Sequence, residues 1–384
     1  MKSWQSVDVL VIGGGIIGLA SAYENIRHGR SVLIVERARL GAGATHVAAG
    51  MLAGAAEAEP TQPSIVRLAV DSLSRYAEFV AAVESDSGLQ CGYDTTGTLL
   101  VALDQDHLEH LQHGAVEHQR LGLHCEQLDA AEIRRLEPRL SPGVVGGFAA
   151  NEDVQVDPRA LARATAAAIE ARGGTLVWPA EVLELELGQR WKAVVEVPGD
   201  RLEISAENVI VAAGAWTRDA AVACERLPLR PVKGQVLRLR GERLLRHVIR
   251  TPDVYIIPRA SGDLVLGASS EEQGFDARPT AGPMMDLLYN AWRALPGVYE
   301  LELDEVCVGF RPALRDHLPA IGATEHDRLY VATGHYRNGI LLAPATAALL
   351  ADLIDGQNPE LLRGLEPGRF APAGVGEDTI AGQS

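Results

Sequence analysis

Apolar residues along this chain fall into two patterns, short uninterrupted runs and longer stretches with helical spacing. Short runs bounded by Gly, Pro or Asn are typical of buried strands, whereas apolar residues three and four apart are typical of helices. The two patterns alternate, which predicts an α/β fold. The predicted strands are Val7–Ile12, Ser31–Val35, Thr98–Ala102, Asn208–Ala212, Tyr255–Pro258, Leu264–Gly267 and Leu329–Ala332, and the predicted helices include Pro63–Ala82, Pro158–Ala171 and Leu342–Ile354.

The chain has 384 residues, about twice a typical single domain, so we expect two domains. Short alternating runs between Leu229 and Gly267, split by Gly and Pro, predict an antiparallel sheet in the second one. Strand–helix–strand patterns lie at both chain ends and near residue 210, so the first domain is predicted to be discontinuous. We expect a Rossmann-like domain from residues 1–75, 142–218 and 313–365, a smaller antiparallel-sheet domain from 76–141 and 219–312, and a tail over 366–384 that frays beyond about Pro372.

The net charge of −16 and the pI near 5.2 disfavour binding to nucleic acid or to an anionic membrane surface. Long apolar stretches such as Gly339–Ile354 are interrupted by Pro344 and Asp352 and fall short of a membrane span. We therefore expect neither nucleic acid nor membrane as a partner.

Cysteine and histidine positions give no sign of a metal site. The four cysteines, Cys91, Cys125, Cys224 and Cys307, are far apart, which fits a reducing cytoplasm and argues against zinc. Three histidines at residues 107, 110 and 113 recur on a predicted helix, but that spacing winds around the helix and no carboxylate or thiol set completes a site. The sequence predicts a cytoplasmic protein without a bound metal.

A glycine motif follows the first predicted strand and opens a helix. Gly13 permits a tight turn, Gly15 lets the backbone approach a pyrophosphate, and Gly18 allows the helix to pack closely on the strand. The next strand ends at Glu36, 18 residues after Gly18, where a carboxylate accepts ribose hydroxyls and disfavours the extra phosphate of NADP. The alternative is a glycine-rich turn of another α/β protein; the strand, helix and acid together favour a dinucleotide site.

Three further segments are candidates for the same site. The small residues between Gly41 and Met51 leave room for a planar ligand, although a packed loop is the alternative. The buried strand that runs into Ala213 and Gly214 has the kind of end at which α/β sheets bind ligands. The stretch from Leu329 combines a strand, a glycine turn and a helix, whose N-terminus would stabilise negative charge on a reduced flavin.

These motifs together resemble the FAD-dependent D-amino acid oxidase superfamily, and within it the glycine oxidases of thiamine synthesis. The resemblance covers nearly the whole chain, and its most specific string is the last. It rests on Gly13–Gly18, the Ala-Ala-Gly-Met-Leu stretch ending at Leu52, Pro231–Gly234, Tyr255–Arg259, Gly309–Pro312 and Gly334–Pro344.

The resemblance implies a glutathione-reductase-type FAD domain and a smaller domain whose antiparallel sheet covers the flavin. It implies that Arg311 binds the substrate carboxylate with help from the Tyr255 hydroxyl, and that Arg337 and Met51 lie beside the substrate. Together with the sheet end at Ala213 and Gly214, the FAD-binding residues would be Gly13, Gly15, Ile16, Ile17, Gly18, Glu36, Arg37, Ala44, Thr45, Ala49, Gly50, Met51, Val182, His335, Tyr336, Arg337, Asn338, Gly339, Ile340 and Leu341.

Alternatives remain for the substrate-binding residues. A guanidinium matches a carboxylate bidentately, but Arg311 by spacing alone fits an ion pair with Asp316 or Glu305. Tyr255 also fits a core tyrosine with a satisfied hydroxyl, and Arg337 fits either a cofactor contact or a salt bridge.

Two residues near the expected flavin have no settled role. Cys307 is interpreted as a buried small residue, with covalent attachment to FAD, known in some relatives, as the alternative. His46 has no assigned role.

The implied reaction is hydride transfer from the substrate Cα to flavin N5, which gives an imino acid and, with oxygen, hydrogen peroxide. Glycine would yield glyoxylate and ammonia on hydrolysis, or an imine used in thiazole synthesis. Sarcosine, proline and D-amino acids are alternative substrates, because one methylene changes binding by only ~1–3 kcal/mol. The same motifs also fit a dehydrogenase with another acceptor or a non-catalytic flavoprotein, and a homo-oligomer is expected by resemblance only.

Overall fold

The structure is a computed structural model that describes residues 2–3, 6–53, 63–120, 124–220 and 224–370. In this part of the chain the strands form a nine-stranded sheet, an eight-stranded sheet and a two-stranded ribbon. The strands are β1 (Lys2–Ser3), β2 (Val7–Ile12), β3 (Val32–Val35), β4 (Met51–Leu52), β5 (Thr98–Ala102), β6 (Glu126–Asp129), β7 (Gly146–Ala150), β8 (Val154–Gln155), β9 (Thr175–Val177), β10 (Glu181–Leu187), β11 (Trp191–Val197), β12 (Asp200–Val211), β13 (Arg230–Arg240), β14 (Val248–Arg250), β15 (Tyr255–Pro258), β16 (Leu264–Gly267), β17 (Glu302–Ala313), β18 (Ala320–Ala323) and β19 (Leu329–Thr333).

The helices cover the first sheet on one face and cap the second. Helix α6 begins where the Asp157 side chain accepts hydrogen bonds from two backbone N–H groups, with Pro158 in its first turn. Its predicted bounds are confirmed, whereas α3 runs five residues past the predicted end at Ala82. The helices are α1 (Ile16–Arg27), α2 (Ala44–Val47), α3 (Pro63–Ser87), α4 (Gln105–Arg120), α5 (Ala130–Leu136), α6 (Pro158–Ala171), α7 (Thr217–Ala220), α8 (Ala281–Ala294) and α9 (Ala343–Ile354).

The nine-stranded sheet has a parallel centre with the order β19-β12-β2-β3-β9. The strands β2, β3 and β19 are largely buried on both faces, as expected for a parallel sheet between two layers. Val9 and Val11 pack with residues of α1, α3, α6 and α9, whereas the alternate residue Leu10 packs towards β10–β12. The carboxyl ends of these strands therefore meet along one edge, where α/β sheets bind ligands.

The eight-stranded sheet has the order β17-β13-β16-β15-β14-β5-β7-β6. Its longest pair joins β13 to β17, with Val232 opposite Arg311. The predicted antiparallel sheet between Leu229 and Gly267 is confirmed for β13–β16, β14–β15 and β15–β16, and β14 also pairs in parallel with the distant strand β5. The α/β fold with a second antiparallel-type sheet is confirmed.

The proposed domain boundaries stay a prediction. β7 lies in the second sheet although the prediction assigned 142–218 to the first domain, because β7 pairs with both β5 and β6. Of the predicted tail, Pro367–Phe370 forms a 3₁₀ turn, and residues from 371 onwards lie outside the described part of the chain. Among the helices that are described, none is both long and apolar enough to cross a membrane.

Candidate functional site

A cavity of about 490 Å³ lies where the carboxyl edge of the parallel strands faces the second sheet. Ligand sites typically have roughly 300–1,000 Å³. Residues following β2, β3, β12 and β19 line one side, and residues of β13, β15 and β17 line the other. The cavity therefore lies between the two sheets, and the segments that form its wall are far apart in sequence.

The glycine turn after β2 forms one wall of the cavity. Gly13 has φ +114°, and a Cβ there would lie 2.4 Å from the carbonyl oxygen of Ala212. A Cβ at Gly18 would lie 2.0 Å from the carbonyl oxygen of Gly13, so only glycine allows α1 to pack this closely. The Thr45 hydroxyl accepts a 3.0 Å hydrogen bond from the Ile16 N–H and ties α2 to the start of α1. These contacts keep the turn open for a phosphate-bearing ligand.

Glu36 lies at the next strand end and holds the same turn. One carboxylate oxygen accepts a 2.6 Å hydrogen bond from the Gly14 N–H, and the other accepts a 2.8 Å hydrogen bond from the Ala38 N–H. A carboxylate has about four acceptor sites, so two remain for ligand hydroxyls. Beside it, the Arg37 guanidinium lies 5.1 Å from the Trp216 ring centre and 3.8 Å from Glu181.

The segment after β19 passes the cavity before α9 begins. Within the described ranges, no protein acceptor is found for the backbone N–H groups of Gly339, Ile340 and Leu341. These donors suit an electron-rich ligand edge. The neighbouring His335 side chain is buried and lies 3.1 Å from the Thr346 hydroxyl. Burial lowers the pKa of His335 to about 3, so the ring is neutral at physiological pH.

The opposite end of the cavity contains Arg311, on β17. Its guanidinium lies across Gly234 of β13, where a Cβ would be 2.4 Å from Nη1. Nη1 donates hydrogen bonds to the carbonyl oxygens of Ser269 at 3.0 Å and Lys233 at 3.5 Å. Within the described residues no carboxylate lies within ion-pair distance of Arg311.

The two acids considered as ion-pair partners of Arg311 form ion pairs with other arginines. Asp316 pairs with Arg369 at 2.9 Å, and Glu305 pairs with Arg159 at 2.8 Å. The ion-pair alternative for Arg311 is therefore wrong in this structure, because the strand pairing places these acids beside other cations. Its charge remains available to a ligand.

Three more of the predicted substrate-binding residues border this end. The Tyr255 ring packs against Gly267, where a Cβ would be 2.3 Å from the hydroxyl oxygen. The Arg337 guanidinium lies 5.2 Å from the Tyr336 ring centre, and Met51 is half-buried in the wall. Tyr255, Met51 and both arginines thus line one cavity, while their individual roles stay predictions.

The structure brings nearly all predicted site residues together. Every one lines the cavity except Gly18, Asn338 and Leu341. Gly18 lies beneath the turn that it allows, whereas Asn338 and Leu341 belong to the turn before α9 but do not reach the cavity surface. The sequence analysis did not identify Trp216 and Phe310 as cavity residues; their ring centres lie 6.1 Å apart. It also assigned no role to Ser269. No local signal marks Ser269, since its contact with Arg311 depends on strand pairing.

Cys307 and His46 form part of a charged cluster beside the cavity. Arg159 donates to the Cys307 Sγ at 3.4 Å and to the carbonyl oxygen of His46 at 2.9 Å. Burial raises the pKa of the Cys307 thiol, and the hydrogen bond from Arg159 lowers the pKa of Glu305 to about 2. Cys307 is not among the cavity-lining residues, which favours the buried-residue interpretation over covalent attachment to a flavin.

The residues present fit FAD. The glycine turn excludes side chains where a pyrophosphate would lie, Glu36 keeps acceptors free for a ribose, and the small residues between Gly41 and Met51 leave room for a ring system. Gly339 and Ile340 line the cavity, and their backbone N–H groups, which have no protein acceptor within the described residues, suit the electron-rich edge of a flavin.

Comparisons with known proteins agree with this geometry. The family described as FAD dependent oxidoreductase matches residues 8–353. The chain is 34% identical to a glycine oxidase of Bacillus licheniformis, covering 92% of this chain and 94% of that protein. The solved structure of glycine oxidase from Geobacillus kaustophilus superposes with a TM-score of 0.88 at 30% identity, covering 95% of this chain and 99% of that one.

A bifunctional relative is longer. The chain is 38% identical to the bifunctional protein ThiO/ThiG of a Nostoc species, over 92% of this chain but 54% of that protein. The chain therefore spans about half the length of the bifunctional relatives that it matches.

Proposed function

The chain belongs to the FAD dependent oxidoreductase family and is an FAD-dependent enzyme, and from this premise we propose that it oxidises small amino acids, with glycine as the best-supported substrate. One observation carries the proposal. The guanidinium of Arg311 borders the cavity without an acidic partner among the described residues, as a binding site for a substrate carboxylate requires. Relatives named glycine oxidase support glycine as that substrate.

The side chains at this end of the cavity act by binding and orientation. Arg311 binds the carboxylate bidentately, and the Tyr255 hydroxyl donates a hydrogen bond to the same carboxylate. These contacts orient the substrate so that its Cα hydrogen points into the cavity. Bound FAD would supply the hydride acceptor for that hydrogen, and oxygen would be the final electron acceptor, with hydrogen peroxide as the product. The substrate leaves as an imino acid, and the glycine product hydrolyses to glyoxylate and ammonia. The amine reacts as the neutral base, so no acid–base side chain is required.

The glycine-derived imine is a reagent for thiazole synthesis, which links the proposal to thiamine formation. Relatives named ThiO/ThiG support this link, although they are almost twice as long as this chain. A cytoplasmic location, oxygen as the acceptor and assembly into a homo-oligomer stay predictions.

Three different functions would share this fold. Sarcosine, proline or a D-amino acid could replace glycine as the substrate, because a cavity of this kind discriminates a methylene weakly. A dehydrogenase would pass its electrons to another acceptor, and oxygen consumption separates it from an oxidase. A flavoprotein without catalysis would bind FAD that no amine reduces.

The test is anaerobic mixing of the FAD-loaded protein with glycine, sarcosine or D-alanine while the visible flavin band is followed. The proposal predicts bleaching by glycine and release of hydrogen peroxide when air is admitted. A band that none of the three amines changes would contradict the proposal and point to another substrate class or to a flavin without a catalytic role. Bleaching without peroxide would favour the dehydrogenase.

A further inference from the structure

A short segment after β16, Ser269–Glu271, contacts residues on both sides of the substrate end of the cavity. The Ser269 carbonyl oxygen accepts the 3.0 Å hydrogen bond from Arg311 Nη1. The Ser270 side chain hydrogen-bonds to Tyr336, whose ring lies under Arg337. The position of this segment therefore affects both predicted substrate arginines.

Backbone pairing alone gives this segment limited support. The segment is irregular, and its only bridge to a strand among the described residues joins Glu271 to Lys233 through two backbone hydrogen bonds of 3.0 Å. Ser269 lies two residues before that bridge, and its N–H donates to the Gln235 carbonyl at 3.2 Å. Side chains supply the remaining contacts.

The Glu271 carboxylate forms the centre of these contacts. One oxygen accepts hydrogen bonds from the Ser269 hydroxyl at 2.6 Å and from the Gln235 amide at 2.8 Å. The other lies 3.9 Å from the ammonium of Lys233. The Ser269 hydroxyl in turn accepts a 2.8 Å hydrogen bond from the Gln235 N–H. Glu271 thus clamps Ser269 onto β13.

The cation of this network is buried. Lys233 is 1% exposed, and its ammonium donates a 2.7 Å hydrogen bond to the Arg278 carbonyl oxygen further along the same loop. A buried ammonium is costly unless it is paired and hydrogen-bonded. Lys233 and Glu271 therefore hold the loop at two points.

Neutral acceptors orient Arg311 in this arrangement. The two carbonyl oxygens that accept hydrogen bonds from Arg311 Nη1 belong to Ser269 and Lys233, and both residues are members of the network. A carbonyl fixes a guanidinium without neutralising its charge, whereas an acidic partner would compete with the substrate carboxylate. The full positive charge is then directed into the cavity.

We propose that Glu271, acting through Ser269, is a positioning residue that orients Arg311 for the carboxylate of the substrate. This inference rests on the proposed function and deepens it. Glu271 holds the carbonyl that orients the guanidinium and thereby sets the preference for substrates with a free carboxylate.

The experiment compares Glu271→Gln and Ser269→Ala with the wild type, each loaded with FAD. Glu272→Gln is the matched control, because the neighbouring Glu272 is 63% exposed and pairs with Arg230 at 3.2 Å. Acetate, a carboxylate without an amine, is titrated while the visible flavin spectrum is recorded. The rates of anaerobic flavin reduction by glycine and by glycine ethyl ester, which lacks the carboxylate, are measured in parallel.

We expect Glu271→Gln to raise the acetate Kd and the glycine KM roughly tenfold, because the hydrogen bonds from Ser269 and Gln235 are no longer charge-assisted and the buried Lys233 loses its counter-charge. The preference for glycine over the ester should fall by a similar factor, while kcat and FAD content change little. Ser269→Ala should act in the same direction, and Glu272→Gln should match the wild type.

Several outcomes would overturn the proposal. One is that both variants keep the wild-type acetate Kd and the wild-type preference for glycine over the ester. Another is that the rate of flavin reduction falls by the same factor with glycine and with the ester. The third is that acetate does not alter the flavin spectrum of the wild type. If Glu271→Gln does not fold, Ser269→Ala decides alone. A wild type that binds acetate but is reduced by no amine would refute the proposed function, while the acetate titrations still decide the role of Glu271.

Discussion

The buried guanidinium of Arg259 donates a hydrogen bond to the carbonyl oxygen of Ala49. It also donates to the Gln155 side chain at 2.9 Å and to the Val156 carbonyl at 3.2 Å. Burial lowers the pKa of Arg259 to about 10, so the group stays charged at neutral pH, with Asp157 as its acidic neighbour. Arg259 thereby ties the end of β15 to the loop that lines the cavity.

Replacing Arg259 with Met should destabilise the protein and weaken FAD retention. The change leaves the buried carbonyl oxygens of Ala49 and Val156 without their donor, which typically costs about 1–3 kcal/mol for each group, and it also frees the loop at Ala49. Thermal unfolding and the FAD Kd measure the two effects. Arg135→Met is the control, since Arg135 is 76% exposed. FAD affinity equal to that of the wild type would show that this loop does not hold the cofactor.

Replacing Arg311 with Met should raise the KM for glycine by about 30-fold or more, because losing a buried charge partner costs at least ~2 kcal/mol. Steady-state kinetics with glycine measure the change. Arg315→Met, four residues further and exposed, should behave like the wild type. If KM and kcat/KM for glycine did not change in the Arg311 variant, another residue would bind the carboxylate.

Gly234→Ala should impair substrate binding without removing any functional group. The new Cβ would lie 2.4 Å from Arg311 Nη1 and would displace the guanidinium. We expect kcat/KM for glycine to fall on the order of tenfold or more, since small misplacements are costly in catalysis. Gly282→Ala is the matched control, because no atom lies within 4 Å of its Cβ position. Similar kinetics in both variants would place Arg311 outside substrate binding.

The neutral His335 should make stability depend on pH. Its pKa is lowered to about 3 in the folded protein, whereas an unfolded histidine has a pKa of about 6.5. Between these values the unfolded state binds one more proton, so the free energy of unfolding falls as pH decreases from about 6.5 towards 3, by at most about 1.4 kcal/mol per pH unit.

Denaturant unfolding at several pH values tests this expectation. The dependence should be shallower in His335→Gln, which does not titrate there, and unchanged in the control His326→Gln, whose side chain is 44% exposed. An identical pH dependence in the wild type and His335→Gln would mean that His335 is not buried in its neutral form.

Much of the cofactor side of the site follows from the sequence alone. The turn at Gly13, the strands on either side of it and the acid at Glu36 are local features, because each depends on residues close together in the chain. The β2 and β15 bounds and the α6 bounds match the predictions for the same reason. Arg311 and Tyr255 were predicted to bind the substrate because the sequence resembles a known family; the hydrophobic periodicity does not identify them.

Tertiary structure alone decided how the substrate side is built. The pairing of β13 with β17 places Gly234 beneath Arg311, and the loop after β16 brings the Ser269 carbonyl to its guanidinium. The same long-range pairing leaves Glu305 with Arg159 rather than with Arg311. Strand partners are chosen by the summed burial and hydrogen bonding of the whole sheet, and these energies depend on residues distant in sequence. Local patterns therefore predict the strands, whereas their pairing decides which charge faces the cavity.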